Sequence, residues 1–348
     1  DVSPWILGYV LDFPLDLTGQ RKQRTTQARY QEEIAGFNLA SAAWSVRHEV
    51  VQALIDLHAA EEASAFWKNQ SDLLSQSVTL VENEVQVGEV SDFEARQIRI
   101  LSNRAEIDAR QNNRARSEAL IRLAEALGVT SPALEGVTFS YRGLDHPPAE
   151  ITQKEARAFA AQNRPDLLAS LTAYALTESE LQREVARQYP DLVIGPGYEL
   201  DQGEGKWSLS FGFDLPMFDR NKGPIAVATA QREAAAARFL ALQNHVLSQV
   251  DRAFADYAST HQELETFRSL HSRYDEQVKT LQVGQSVGEV SRLEVFRAKL
   301  ELADHMSAEL DAVRRAEQSL AALEDAIQRP LAWPDTVWSQ SPRTAAAP

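Results

Sequence analysis

The chain repeats itself after about 200 residues. The pentapeptide VGEVS occurs at 87–91 and again at 287–291, and residues 11–128 match residues 213–328 over much of their length. Solenoid proteins repeat after roughly 20–50 residues, which is far shorter. The pattern therefore indicates one duplicated half-molecule, and each half is expected to build the same elements.

Long helices are predicted for most of each half. The interiors of 37–87 and 224–283 contain neither proline nor glycine, and apolar residues recur there at spacings of four and three, as in Val46, Val50 and Ala53. A sustained seven-residue repeat is typical of left-handed coiled coils. We predict helices over 20–86, 92–127, 152–188 and 292–327, and another long helix that includes 224–283.

The VGEVS copies interrupt these helices. Each contains a glycine that permits a tight reversal and a serine that can cap the next helix. A glutamate three residues after the serine completes the pattern of a capping box. These residues are Gly88, Ser91 and Glu94 in the first copy and Gly288, Ser291 and Glu294 in the second. Each copy is therefore predicted to be the tip of an antiparallel coiled-coil hairpin.

Three further segments have the alternation of β-strands. Residues 5–15, 191–200 and 206–217 carry apolar side chains, several of them aromatic, at every second position. The short sequence DQGEG joins the last two segments and predicts a hairpin. About ten residues is the length of a strand that crosses a membrane in a β-barrel. An ordinary half-buried sheet is the alternative for any single strand.

Composition argues against several classes of function. The formal net charge of −15 argues against a nucleic-acid partner, which needs a basic surface. The chain has no cysteine, so it offers neither disulfides nor a thiolate metal site. It has no apolar run long enough for a transmembrane helix. It also has no phosphate-binding glycine loop, nucleophile elbow or dinucleotide fingerprint, so we predict neither an enzyme nor a bound cofactor.

The seven histidines are scattered, and no two of them are three or four residues apart. His58 with Glu61 or Glu62, and His261 with Glu265, are neighbours on a helix surface. Solvated pairs on the face of a coiled coil explain them better than a metal site does. We therefore predict that the chain has no metal site.

The repeat predicts the division of the chain. The predicted parts are a first repeat at 1–128, a linker at 129–151, a second repeat at 152–328 and a C-terminal tail at 329–348. The first repeat has no counterpart of the strand 191–200 or of the helix before it. One additional N-terminal helix and strand would supply both, so we expect the chain to be N-terminally incomplete.

Several segments together resemble the TolC-like outer-membrane efflux proteins, also called outer membrane factors. NRPDLLAS (163–170), QYPDLVIGPGYEL (188–200) and GFDLPMFDRNKGPIAVATAQ (212–231) resemble the family's helix–hairpin–helix entry. VGQSVGEVSRLEVFRAKLELA (283–303) resembles its periplasmic tip. The GEVS sequence and the ending LEDAIQRPL (323–331) are most similar to the CzcC/CusC branch, which exports heavy-metal cations.

The resemblance implies a mainly α fold with a β-barrel portion. In this TolC-like duct, three protomers each contribute four strands to a barrel in the outer membrane of a Gram-negative bacterium. Their coiled-coil hairpins form an α-helical barrel through the periplasm. The implied partners are two further copies of the chain, a periplasmic adaptor, an inner-membrane pump of the RND type and outer-membrane lipid. The pump supplies the energy, so the protein would be a passive conduit.

The resemblance also implies where partners and cargo act. The adaptor would dock on the two tips, at Val87, Gly88, Glu89, Val287, Gly288 and Glu289. Family members narrow the entrance with acidic residues six and nine positions after the second tip glycine. Here Glu294 fits this pattern and Arg297 departs from it. A capping role for Glu294, or a salt bridge between Glu294 and Arg297, is an alternative to the gate.

Three functions stay open at this point. Export of heavy-metal cations is favoured, and export of organic compounds or drugs, or type I secretion, is the alternative within the same family. A soluble coiled-coil scaffold would explain the heptads, but it would not explain three strands of about ten residues with aromatic faces.

Overall fold

The structure is a computed structural model, and it describes residues 6–16, 18–88, 90–141, 151–189, 192–201, 203–213 and 220–331. These residues form two compact units. Unit 1 comprises Asp1–Ser41 with Ala161–Val246, and unit 2 comprises Ala42–Ala160 with Leu247–Pro348. The predicted repeats are a division along the chain and stay a prediction.

Two strands, a run of helices, two more strands and two long helices follow one another along the chain. They are β1 (Ile6–Val10), β2 (Phe13–Leu15), α1 (Gln20–Gln86), α2 (Asp92–Ala126), a 3₁₀ turn (Ser131–Leu134), α3 (Gln153–Asn163), α4 (Pro165–Ala186), β3 (Leu192–Asp201), β4 (Glu204–Phe213), α5 (Lys222–Ser286) and α6 (Arg292–Ile327).

The long helices have the predicted bounds. Helix α1 has 67 residues and α5 has 65, which corresponds to about 100 Å each at about 1.5 Å per residue. Both end just before the VGEVS glycine, and α2 and α6 begin just after the VGEVS serine. The bounds were predictable because helix breakers and caps act locally, within one or two turns of the chain.

The predicted single helix over 152–188 is wrong. Helix α3 ends at Asn163, and α4 begins anew at Pro165. Proline has no backbone N–H and disfavours helical backbone in the residue before it, but it suits the first position of a helix. Arg164 accordingly has extended backbone, and its guanidinium binds both carboxylate oxygens of Asp166 at 3.0 and 2.6 Å.

The sheet of unit 1 is built around β3. Strand β4 pairs antiparallel with the whole of β3, from Leu192↔Phe213 to Asp201↔Glu204, which confirms the predicted hairpin. Strands β1 and β2 pair one after the other along the opposite edge of β3. The predicted continuous strand 5–15 is therefore broken in two. Residues 5, 191 and 214–217 of the predicted strands lie outside the described residues.

Side chains on the strands are mostly exposed and apolar. Tyr9 on β1 is 58% exposed, and Trp207 and Phe211 on β4 are 79% and 63% exposed. A Cβ atom on Gly197 of β3 would lie 2.5 Å from Ser208 Oγ on β4 and 3.3 Å from the Tyr9 carbonyl oxygen on β1. The sheet thus presents apolar surface outward and keeps glycine where its strands approach each other most closely.

Unit 2 is held together by small apolar clusters between long helices. One cluster joins α1 to α2, and a second joins α5 to α6. The buried members are Ala53, Leu57, Ala119 and Leu123 in the first, and Leu264, Ala312 and Ala316 in the second. Alanine predominates because close packing of long helices needs small side chains at the contact.

Candidate functional site: the paired helical tips

The two tips have the same backbone geometry. Gly88 and Gly288 both have a φ of 81°, the left-handed conformation that glycine adopts readily and other residues rarely adopt. The Gly88 N–H donates to Val85 O at 3.1 Å, and the Gly288 N–H donates to Gln285 O at 3.1 Å. Each glycine therefore closes the last turn of a long helix and reverses the chain.

The second tip is closed by a further backbone hydrogen bond. The Glu289 N–H donates to Gly284 O at 2.9 Å, one turn earlier in α5. The side chain of Val290 folds against Gly284 so closely that a Cβ at residue 284 would lie 2.6 Å from Val290 Cγ2. The glycine at 284 thus makes room for this packing.

The predicted capping box is complete only in the second tip. The Glu294 N–H donates to Ser291 Oγ at 3.2 Å, and the Ser291 N–H donates to Glu294 Oε2 at 3.0 Å. In the first tip the Glu94 N–H donates to Ser91 Oγ at 3.2 Å. Among the described bonds, the Glu94 carboxylate accepts none from the Ser91 N–H. The prediction of a full box at Glu94 is therefore wrong.

The predicted docking residues are exposed where the structure describes them. Val87 is 72% exposed and Val287 is 66% exposed, and nothing lies within 4 Å of a Cβ atom built on Gly88 or Gly288. Glu289 is exposed as well. Glu89 lies outside the described residues. Each tip thus presents an exposed valine beside its glycine, which suits a docking surface; the docking role itself is still a prediction.

A shared core joins the tips. Val81 of α1 and Ala95 and Ile98 of α2 are buried together, and Phe296 of α6 packs against them from the second hairpin. Arg104 of α2 and Asp304 of α6 lie 3.7 Å apart farther from the tips. Sequence reasoning missed this contact because nothing local indicates which hairpin faces which.

The predicted gate residues are both exposed. The Glu294 carboxylate accepts from the Ser291 backbone and also lies 3.1 Å from Ser291 Oγ, so it serves the capping box. Among the ion pairs between described residues, none joins Glu294 to Arg297. The capping interpretation therefore has direct structural support, and the gate stays a prediction.

A second polar site lies beside the β-hairpin of unit 1. The Glu184 carboxylate near the end of α4 accepts from Asn221 Nδ2 at 3.0 Å and from Arg187 Nη1 at 2.9 Å. Asn221, just before α5, also donates to Glu184 O at 2.8 Å and has a φ of 55°. Glu184 is only 8% exposed, so this cluster fixes the two helix ends that flank β3 and β4.

Glu184→Gln is expected to lower the free energy of unfolding by about 1.5–3 kcal/mol at neutral pH, the usual loss for hydrogen bonds to a charged group. Burial raises the pKa of Glu184, but bonds from Asn221 and Arg187 and the charge of Arg183 outweigh it and lower the pKa below 4.5. A lowered pKa means that this stability is present above pH 4.5 and is lost as pH falls through the folded pKa.

Chemical denaturation of both proteins at pH 7 and at pH 3 measures this difference, which should shrink at pH 3. Glu180→Gln, at a partly exposed site one turn earlier on α4, is the control and should change little. A Glu184→Gln protein with unchanged stability at pH 7 would contradict the assignment.

Of the two predicted histidine–glutamate pairs, the pair of His58 with Glu62 is present in the structure. His58 Nε2 lies 3.6 Å from Glu62 Oε1, as expected for helix neighbours. The His261 ring stacks on Tyr257 with centroids 4.3 Å apart, and burial lowers its pKa. A group that sequence spacing did not indicate is formed by His271, His305 and Glu309, which come together from two helices.

No helix within the described residues combines the length and apolarity needed to cross a membrane.

Comparison with known proteins extends over nearly the whole chain. The profile of the family "Outer membrane efflux protein" matches residues 2–129 and 158–328. The cobalt-zinc-cadmium resistance protein CzcC of Cupriavidus metallidurans is 25% identical over 234 residues, which cover 66% of this chain and 55% of that protein. The chain thus matches little more than half the length of this relative.

Solved structures show the same fold at low sequence identity. A membrane protein from Pseudomonas aeruginosa superimposes with a TM-score of 0.76 and 18% identity, covering 94% of this chain and 83% of that one. CusC, described as forming a transmembrane channel, superimposes with a TM-score of 0.74 and 17% identity, covering 92% of this chain and 77% of that one. The open state of the Neisseria gonorrhoeae outer membrane channel MtrE superimposes with a TM-score of 0.73 and 16% identity, covering 95% of this chain and 81% of that one.

The predicted fold and family are therefore confirmed: with its long capped hairpins, its apolar-faced sheet and a profile match over most of its length, the chain belongs to the outer membrane efflux protein family.

Proposed function

We propose that this protein is the outer-membrane channel subunit of a tripartite efflux system and that its cargo is heavy-metal cations. The observation that carries the proposal is the presence in one chain of an apolar-faced sheet and two long capped hairpins. The sheet suits the lipid of an outer membrane and the hairpins suit a duct through the periplasm. The location in the outer membrane follows from the family.

A trimer would supply what one chain lacks. Within the described part of the chain, the outer edges of the β1–β4 sheet pair with no further strand, and an exposed edge in a membrane must be paired. Copies of the chain around a threefold axis would pair these edges and enclose a passage. We assign no catalytic role to the chain, and the energy for transport would come from an inner-membrane RND-type pump.

The proposed cargo rests on the relative CzcC and on the excess of acidic residues in this chain. The relative CzcC is named for resistance to cobalt, zinc and cadmium. The present chain has 50 acidic and 35 basic residues, and an acidic lining attracts cations. A periplasmic adaptor would dock on the exposed tips at Val87 and Val287.

Deletion of the full-length native gene tests the proposal. Loss of resistance to cobalt, zinc and cadmium salts, with restoration by the native gene, is the expected result. Unchanged metal resistance together with new sensitivity to dyes or drugs would show a channel for organic compounds. A protein that remains in the soluble fraction without detergent would favour a scaffold and contradict the channel.

Recordings on the purified protein in planar bilayers test the predicted gate in a separate experiment. If three copies of Glu294 line the entrance, Glu294→Gln should reduce selectivity for cations over anions. Glu94→Gln, the corresponding change in the first tip, is the matched control. Unchanged selectivity with only a lower melting temperature would show that Glu294 acts as a cap and not as a gate.

A further inference from the structure

Two histidines and a glutamate that are distant in the sequence meet between α5 and α6. His271 on α5 and His305 and Glu309 on α6 each offer one nitrogen or oxygen atom, and these three atoms lie within 4.8 Å of one another. We propose that they form a binding site for a divalent transition-metal ion of the zinc class. All three side chains belong to one hairpin, so the inference does not depend on the proposed function.

His305 is held by a hydrogen bond to the backbone of α5. Its Nε2 lies 3.1 Å from the carbonyl oxygen of Phe267. A carbonyl only accepts hydrogen bonds, so Nε2 carries the proton and Nδ1 of the neutral ring keeps its lone pair. Metal-binding histidines commonly donate their other N–H to a carbonyl, which fixes the tautomer and the ring plane. The ring also stacks on Tyr274, with centroids 4.7 Å apart, and the residue is 8% exposed.

His271 and Glu309 form the open side of the site. Nδ1 of His271 lies 2.8 Å from Oε2 of Glu309, and the two side chains are 40% and 21% exposed. Zinc bonds of about 2.0–2.1 Å in a tetrahedron separate the ligand atoms by about 3.3 Å. Small side-chain rotations would therefore admit the ion, and solvent can reach the fourth position.

The ligand set selects the class of ion. Two imidazoles and one carboxylate suit zinc, cobalt and nickel, whereas magnesium and calcium prefer oxygen ligands. His305 and Glu309 are four residues apart and therefore lie on the same face of α6. The facing helix supplies the third ligand, so the ion would join α5 to α6.

The first hairpin shows that coiled-coil packing does not require these side chains. The positions 200 residues earlier are Ser71, Ala105 and Ala109, none of which binds metals well. Ala105 is completely buried in the corresponding helix α2. The second hairpin alone therefore carries the set, although the helices of both hairpins end and begin at equivalent positions around the tip and both tip glycines have the same φ.

Zinc binding to the purified full chain tests the proposal. After chelator treatment in detergent, titration with zinc chloride should show one ion per chain at this site, and magnesium chloride should not compete. His271→Ser and Glu309→Gln should each weaken zinc binding by about 100-fold or more, since ligands matter at least as much as the residues that orient them. Cobalt chloride should give the visible absorption of a tetrahedral ion, and the variants should lose it.

Matched controls separate ligation from folding. Glu309→Gln keeps the volume of the side chain, and His271→Ser copies the first hairpin, so both variants should fold with unchanged helical circular dichroism. His58→Ala removes a helix histidine that pairs with Glu62 outside the site and should leave zinc binding unchanged. Zinc should raise the melting temperature of the native protein but not that of the two ligand variants.

Zinc binding that persists in folded His271→Ser and Glu309→Gln proteins, or the absence of zinc binding to the native chain, would overturn the proposal. The group would then be an ordinary histidine–glutamate pair beside a core histidine. A protein that binds zinc but forms no channel would leave this inference standing and would contradict the proposed function. The two can therefore fail separately.

Discussion

Gly288→Pro is expected to abolish metal resistance while the protein still inserts in the outer membrane. Gly288 has a φ of 81°, whereas proline holds φ near −65°. Proline also lacks the N–H that Gly288 donates to Gln285 O at 3.1 Å. The reversal between α5 and α6 would therefore be lost. The measurement is growth on cobalt, zinc and cadmium salts, compared with the gene deletion and the native gene.

Insertion is expected to survive because the change is distant from the strands along the chain. The 65 residues of α5 separate β4 from the tip. Gly288→Asn is the matched control, because asparagine tolerates the left-handed conformation and keeps the N–H. It should retain resistance. If Gly288→Pro protein reaches the outer membrane in normal amounts and still confers full resistance, the tip is not needed for coupling to a partner.

Leu123→Ala is expected to lower the free energy of unfolding by about 2–5 kcal/mol, the range for removing a buried leucine side chain. Leu123 on α2 has no exposed surface and packs with Ala53 and Leu57 of α1. Its neighbours lie mostly on the two packed helices α1 and α2, so the space that the side chain leaves would be filled only in part. Chemical denaturation in detergent measures the loss.

Ile121→Ala is the control for this substitution. Ile121 lies on the same helix, two residues away, and is 54% exposed in the single chain. Its replacement should change the free energy of unfolding by less than about 0.5 kcal/mol. A large effect at Ile121 would indicate that another subunit covers it. A change below about 0.5 kcal/mol for Leu123→Ala would contradict the core assignment.

The elements that sequence predicted best are those that depend on local chemistry. The ends of α1, α2, α5 and α6 follow from glycine, serine and glutamate within a few residues. The hairpin of β3 and β4 follows from alternation around a short polar turn. The break at Pro165 was also readable from the sequence, since proline begins helices more readily than it continues them.

Other features depended on contacts between distant residues. The break between β1 and β2 became visible only in their pairing with β3. The packing of Phe296 against the first tip and the hydrogen bonds that Asn221 donates to Glu184 also depend on tertiary structure. Spacing along the chain missed the group around His305 because His271 is on α5, whereas His305 and Glu309 are on α6.

The amino-acid sequence by itself determined the long helices, the two capped reversals, the strand hairpin and the family, because each depends on patterns that span a few turns or a duplicated segment. Only the tertiary structure decided which helix faces which and which side chains meet between them. The direction of a side chain around a long helix depends on small changes in helical twist that accumulate over many turns. The meeting of His271 with His305 and Glu309 is the most consequential result of that packing.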